Sequence, residues 1–383
     1  VLGCEFEMGL RDDSVKICSK ASYRFVIYST EQSWAFRRAV EKYYEFFAEQ
    51  FTNIVKRHGN WAVGYARPDI PNSADFAIAA DETGFSSPPA DMNQYVADKL
   101  LGIPTCPYQR PGSWSQEFKG SPSDEHAYEG RMALLAEEEK MPAYAYVLPH
   151  GWSYWGSKLR GLVAAMRNSV LCDRDGRAVW GYYTPSRGRD GYYFSRCALD
   201  TSYQVPSPNW AEVITRQYTL AYDWAREAGT PLGGVYFDNM GGYSINPFDF
   251  RRDHWEIARI PLVVNADPPQ PAQSKVLQLC EFFPEFGKEV RQRDGFMIGN
   301  IRAGRFVLAQ YLDFIGHEGY NGNVIERLRI VAGPKPASYL PTAPLTHDMF
   351  ENCLSYGVAP GFRNSHRDLY KEFIPLIVSL SEA

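Results

Sequence analysis

Gly233-Gly234-Val235-Tyr236-Phe237-Asp238-Asn239 is a short apolar run that opens on glycines and ends in a carboxylate. A helical pattern over Trp210–Ala228 precedes it, and another over Ser274–Arg293 follows it. A short buried strand between two helices is the repeating unit of a parallel sheet.

Working outward, similar runs recur. They are Phe76–Ala80, Ala143–Leu148, Cys197–Leu199, Gly234–Phe237, Phe296–Ile298, Leu312–Ile315, Ala337–Leu340 and Gly357–Phe362. Further helical patterns cover Asn323–Ala332, His347–Ser355 and Arg367 to Leu380. Eight such strands in about 300 residues fit a closed (β/α)₈ (TIM) barrel better than an open sheet. A doubly wound nucleotide fold lacks support, because no G-x-G-x-x-G and no G-x-x-x-x-G-K-[ST] occurs.

The start of the chain reads differently. Cys4–Met8 and the alternating, aromatic Ser22–Tyr28 look like the last strands of a β-rich, sandwich-like element, assigned to residues 1–32. A helix is expected over Ser33–Arg57, within a linker of residues 33–74. The barrel is assigned to residues 75–383. Inserts rich in Pro, Gly, Trp and Tyr at Gly84–Met141, His150–Ser195 and Gly241–Gln273 would wall its mouth. No solenoid period and no low-complexity tract appears.

Composition narrows the function. Hydrophobic residues make up 45% of the 383, enough for a large core. The net charge of -5 argues against a nucleic-acid partner, which wants a basic field. No run approaches the roughly 18–20 apolar residues that span a bilayer. The seven cysteines are dispersed and form no C-x-x-C, so neither a disulfide scaffold nor a zinc site is expected. Aromatic residues reach 15%, which either fills a core or offers faces to the C–H surface of sugar rings. The chain starts at Val1 without a Met, and a secreted or periplasmic setting is expected.

Polar residues at the C-terminal ends of barrel strands carry the chemistry of this fold. The first run ends in Asp81 and Glu82, the second in His150 with Trp152 and Trp155 beyond, and the third in Asp200. The fourth ends in Asp238 and Asn239, the fifth in Asn300, the sixth in His317 and Glu318, and the eighth near Arg363. Carboxylates recur, and no Ser or Cys stands beside an obvious base.

Cleavage of a glycosidic bond needs two carboxyl groups in one pocket. Asp238 after strand four and Glu318 after strand six meet that need, 80 residues apart in sequence but two strands apart around a barrel. Alternation turns Asp238 and Tyr236 to one side and Phe237 to the other. An Asp after a strand also serves as a helix cap, but Gly241-Gly242 is no helix start. Asp313 is a competitor that lies earlier on its strand, where burial or an Arg partner would explain it. Glu82, His150, Asp200, Tyr236, Asn239, Asn300, His317 and Arg363 are expected to bind a carbohydrate substrate. Trp152 and Trp155 are candidate stacking platforms, or loop packing.

The Tyr-Phe-Asp-Asn strand end resembles the fourth-strand nucleophile segment of the retaining α-glycosidase clans. Phe314-Ile315-Gly316-His317-Glu318 is similar to their sixth-strand acid/base segment. The junction carrying Trp34, Arg37, Arg38 and Ala39 resembles their passage from β-sandwich to barrel. This chain has Tyr236 where those enzymes usually have Lys, and Glu318 where Asp is more usual. The resemblance implies a retaining hydrolase with Asp238 as nucleophile, Glu318 as acid/base and no cofactor.

Three other readings compete. A metal-dependent hydrolase would want His-x-His at the first strand, where Ala79-Ala80-Asp81-Glu82 stands instead. A serine hydrolase would want G-x-S-x-G, and Gly151-Trp152-Ser153-Tyr154-Trp155-Gly156 misses that spacing by one residue. A carbohydrate-binding barrel without activity would keep the aromatics and dispense with the carboxylate pair.

Overall fold

The computed structural model describes residues 26–63, 76–83, 88–119, 127–140, 161–185, 190–240, 247–266, 269–301, 305–319, 324–342, 344–362 and 366–382. The chain divides into two units, Val1–Phe46 and Phe47–Ala383. In the first, the described part is irregular up to Trp34 and helical from Ala35. A helix spans Ala35–Phe46, and Tyr28 donates to the carbonyl of Ala39 at 2.7 Å and packs on Phe46. The expected strands before residue 26 lie outside the described residues.

In the second unit, eight parallel strands form one sheet. They are β1 (Asn60–Val63), β2 (Ile78–Thr83), β3 (Thr105–Gln109), β4 (Gly234–Phe237), β5 (Phe296–Asn300), β6 (Phe314–Gly319), β7 (Ala337–Pro341) and β8 (Ala359–Pro360). Each pairs in parallel with the next. The ends of the sheet meet where the Phe362 amide donates to the Trp61 carbonyl at 3.0 Å. The Trp61 amide donates to Ser338 Oγ at 3.2 Å across the same seam. The result is a nearly closed (β/α)₈ barrel flanked by helices.

Strands four to eight overlap the runs the sequence marks, the sixth extending further to Gly319, and the first three differ. The run at Phe76–Ala80 belongs to the second strand. The first, Asn60–Val63, falls in the stretch read as linker. It opens on a polar residue and spans four positions, so no period shows. The expected helix over Ser33–Arg57 is shorter. The backbone leaves helical values at Phe47 (φ -117°, ψ 38°), resumes for one turn over Ala48–Phe51, and is extended from Thr52. That release lets Val55 enter the barrel interior with Trp61 and Ala79.

The third strand is also corrected. Thr105–Gln109 lies inside a stretch read as insert, and its Pro107 removes a ladder donor. Cys197–Leu199 is no barrel strand. Its first two residues end Tyr192–Ala198, the middle strand of an antiparallel sheet with Ser113–Lys119 and Trp180–Pro185. Ala143–Leu148 lies outside the described residues. A second antiparallel sheet, Phe248–Asp249, Val263–Ala266 and Pro269–Ser274, follows β4. Both sheets therefore extend the C-terminal side of the barrel.

The alternation read in strand four holds. Phe237 points outward among Phe282, Phe283 and Phe286 of the helix Lys275–Arg291, at ring separations of 5.1–6.1 Å. Tyr236 points inward, 5.0 Å from the ring of Trp61 and 5.5 Å from that of Tyr108. Gly234 permits the close approach of β4 and β5: a Cβ there would stand 2.0 Å from the Phe296 carbonyl oxygen. Before β4, the helix Trp210–Glu227 starts on a capping box. Asn209 accepts from the Glu212 amide, and the Glu212 carboxylate accepts from the Asn209 amide. No helix among the described residues is long and apolar enough to cross a membrane.

Candidate active site

Asp238 follows the last residue of β4 and is 8% exposed. Its amide is fixed by the Gln109 carbonyl at 2.8 Å, so the backbone of β3 aims it. Its Oδ2 accepts from the phenol of Tyr108 and from the side-chain amide of Asn239. Arg110 Nε donates to the Tyr108 hydroxyl and lies 3.6 Å from Oδ2. Its Oδ1 accepts from Asn300 Nδ2 at 3.1 Å, with the Tyr236 hydroxyl more distant at 3.5 Å. Asn239 takes a left-handed backbone (φ 53°), which Asn tolerates better than most residues, and so its amide turns back on Asp238.

Glu318 is the second carboxylate at this mouth. It is exposed, and its amide donates to Asn300 Oδ1 at 3.1 Å. Asn300 Nδ2 also lies 3.4 Å from Glu318 Oε2. One side-chain amide thus touches both carboxylates. The two oxygens it contacts are no further apart than 3.1 Å and 3.4 Å laid end to end.

Glu82, near the end of β2, is the third acid, and Trp61 Nε1 donates to its Oε2 at 3.2 Å. Burial pushes its carboxyl well above the usual range, and the charges of Asp238 and Asp81 push the same way. The Trp61 bond offsets only part of this. Burial, then the Asp238 charge, raises the Tyr108 phenol, which therefore keeps the proton it donates. For Arg110, burial alone would lower the value, but the neighbouring Tyr108 and Asp238 prevail and the guanidinium stays charged.

Asp238, Glu318, Asn300, Asn239, Tyr236 and Glu82 come together, as the strand-end reading expects. Asp200 and His317 stand elsewhere. His317 turns to the outer face of β6, donates through Nδ1 to the Ile301 carbonyl at 2.6 Å and stacks on Tyr339. Asp313, the competitor, is held by Arg291 at 3.0 Å and accepts from the Met297 amide. His150, Trp152, Trp155 and Arg363 lie outside the described residues. Trp61, Tyr108 and Arg110 were missed, because their strands were read as linker and insert. The alternation of Cys106 and Tyr108 across Pro107 was the available signal.

Asp200 belongs to a buried cluster with Asp249 and His254. His254 Nδ1 lies 2.6 Å from Asp249 Oδ2 and 3.4 Å from Asp200 Oδ2, and its Nε2 lies 2.8 Å from the Asn168 carbonyl. Asp249 Oδ1 accepts from the Cys172 and Arg251 amides, and Asp200 Oδ1 from the Ser202 amide. The donor types would suit a cation, but 2.6 Å is a hydrogen-bond separation and both ring nitrogens are engaged. The cluster pins the inserts beyond β3 and β4 to each other.

Compared with known families and with curated proteins, the sequence matches none. Among solved structures, the chain is similar to Aspergillus fumigatus Ega3 in complex with galactosamine, at 10% identity over 81% of this chain and 91% of that one, TM-score 0.38. It is also similar to the glycoside hydrolase domain of PelA from Pseudomonas aeruginosa, at 12% identity over 79% and 92%, TM-score 0.38. A third is a quadruple mutant of α-N-acetylgalactosaminidase NagBb from Bifidobacterium bifidum, at 8% identity over 90% and 56%, TM-score 0.46. These likenesses are loose ones, and the chemistry rests on this chain's own residues.

Proposed function

We propose that this protein is a glycoside hydrolase that cleaves an oligo- or polysaccharide through Asp238 and Glu318 with retention of configuration. The observation that carries this reading is the Asn300 amide shared between the two carboxylates. Retaining enzymes hold their carboxyl groups about 5–5.5 Å apart, and inverting ones about 6.5–9.5 Å. A bridging amide of this reach favours the shorter class.

In this mechanism an Asp238 oxygen attacks the anomeric carbon and the glycosidic C–O bond breaks. Glu318 passes its proton to the leaving oxygen. Water then attacks the anomeric carbon, gives a proton to Glu318 and releases Asp238. The division of labour follows the surroundings. Asp238 is buried and surrounded by donors, which suits a carboxylate that must attack along one line. Glu318 is exposed, where leaving groups and water reach it. Asn239 and Glu82 would contact the sugar, while Tyr236 is buried against Trp61 and Tyr108. A secreted or periplasmic setting would suit a polysaccharide substrate.

The test is product release from a polysaccharide panel by the intact chain, Asp238→Asn and Glu318→Gln. Loss of the acid/base is expected to lower turnover by about 10²–10⁴-fold, and loss of the nucleophile by at least as much. Proton NMR of the first product reads the anomer. Near wild-type turnover in either variant sinks that residue's role, and an inverted first product sinks the retaining mechanism.

A further inference from the structure

The end of β3 meets Asp238 through three consecutive residues. The Gln109 carbonyl accepts from the Asp238 amide at 2.8 Å. The Tyr108 phenol donates to Asp238 Oδ2. Arg110 Nε donates to the Tyr108 hydroxyl and lies 3.6 Å from the same Oδ2. The guanidinium carbon also stands 5.2 Å from the centre of the Tyr108 ring, so one arginine steadies both the hydroxyl and the ring. Pairing with β4 sets this up: Tyr108 lies opposite Tyr236 and Gln109 opposite Phe237, which brings Arg110 alongside Asp238.

The two carboxylate oxygens of Asp238 differ. Each can accept about two hydrogen bonds. Oδ2 accepts from Tyr108 and from Asn239, with the guanidinium charge beside it. Oδ1 accepts from Asn300 Nδ2 at 3.1 Å. The Tyr236 hydroxyl stands 3.5 Å from Oδ1, outside the usual range for an O–H donor. Among the described residues nothing else reaches Oδ1, which therefore keeps a lone pair free. Oδ1 is also the oxygen on the Glu318 side, since Asn300 Nδ2 lies 3.4 Å from Glu318 Oε2.

We infer that Oδ1 is the attacking oxygen of Asp238, and that Tyr108 and Arg110 are positioning residues that anchor Oδ2 and receive the returning charge when the glycosyl-enzyme breaks down. This rests on the glycosidase reading and divides the work between the two oxygens. In the first step an Oδ1 lone pair forms the bond to the anomeric carbon. The electron pair of the glycosidic C–O bond goes to the leaving oxygen, which takes the Glu318 proton. Oδ2 is then the carbonyl oxygen of a neutral ester. In the second step water forms the new bond to the anomeric carbon and gives a proton to Glu318. The electron pair of the C–Oδ1 bond returns to Asp238, and the charge spreads to Oδ2, where the donors already stand. Donors that favour the anion over the ester speed the second step more than the first.

Tyr108→Phe and Arg110→Met test this on the panel polysaccharide that the intact chain cleaves fastest. Each is expected to lower kcat about 10–100-fold, the worth of a hydrogen bond to a charged group. KM should fall with it, because the glycosyl-enzyme accumulates. Acid quenching at steady state, peptic digestion and mass spectrometry should find more sugar adduct on the peptide carrying Asp238 in both variants than in the wild type. A merely structural role would lower kcat with KM unchanged and no extra adduct, and that result overturns the inference.

A second measurement needs no substrate. Arg110→Met should lower the urea midpoint of the wild type, and lower it by less than half as much in the Asp238→Ala background. Equal shifts in the two backgrounds overturn the anchoring of Oδ2, whatever the turnover. A wild-type chain that releases no product from any polysaccharide overturns the glycosidase reading and the second-step role with it, while the urea midpoints still decide the anchor.

Discussion

Asn300 Nδ2 sits 3.1 Å from Oδ1 of Asp238, and the same nitrogen reaches Glu318 at 3.4 Å. A donor shared by two carboxyl groups fixes the position of each relative to the other. Asn300→Ala is expected to lower kcat by about 10²-fold with little change in KM, since a carboxylate displaced by about 1 Å costs that much. Asn300→Asp replaces the shared donor with an acceptor and should be worse. Steady-state kinetics on the panel's best substrate checks both, and Asn300→Asp at wild-type rate would remove Asn300 from the site's design.

Glu82 should behave as a neutral group. Burial and the neighbouring Asp238 hold its carboxyl well above the ordinary range, which favours its protonated form. Gln has that shape and no charge. Glu82→Gln is therefore expected to keep most activity, whereas Glu82→Ala leaves the Trp61 indole without its acceptor and loses about 1 kcal/mol of stability or more. A loss of activity in Glu82→Gln as deep as in Asp238→Asn would show that Glu82 acts as an anion.

The Asp200–Asp249–His254 cluster makes stability depend on pH. Burial pushes Asp200 up to about 7. For His254, burial alone would lower the value, but the bond to Asp249 and the charges of Asp249 and Asp200 leave it raised. Both groups bind protons more tightly folded than unfolded. The Asp200 contribution is fully present below about pH 4 and declines up to about pH 7. The His254 contribution is fully present below about pH 6.5 and is lost as pH rises through its higher folded value. Urea midpoints from pH 5 to 8 should fall, and Asp200→Asn should flatten the lower half of that fall. Parallel curves for the two proteins would refute the assignment.

Phe237 is fully buried among three phenyl rings of the helix that follows. Phe237→Ala is expected to cost about 3–5 kcal/mol, read from the urea midpoint. Because the residue faces away from the mouth, the remaining folded fraction should keep its KM.

How much was legible follows from the range of each signal. Val235-Tyr236-Phe237-Asp238 carries its own period of two, so the sequence by itself determined that Tyr236 and Asp238 share a face and that Phe237 opposes them. The alternation of strands and helices likewise determined the barrel from strand four onward, and with it the meeting of Asp238, Asn300 and Glu318 at one end. Tertiary structure decided the rest. Asn60–Val63 and Thr105–Gln109 are short, polar at their first residues and interrupted by Pro107, and they become strands only because neighbours complete their ladders. Tyr108 meets Asp238 across 130 residues, and Lys275 meets Gly112 across a sheet and a helix start. Asp200 shows the converse: it ends an apolar run as Asp238 does, yet its strand is antiparallel and lies outside the barrel. Local periodicity tells which way a side chain points along its own strand. Which groups it then faces depends on closure of the sheet, a long-range event with no local pattern.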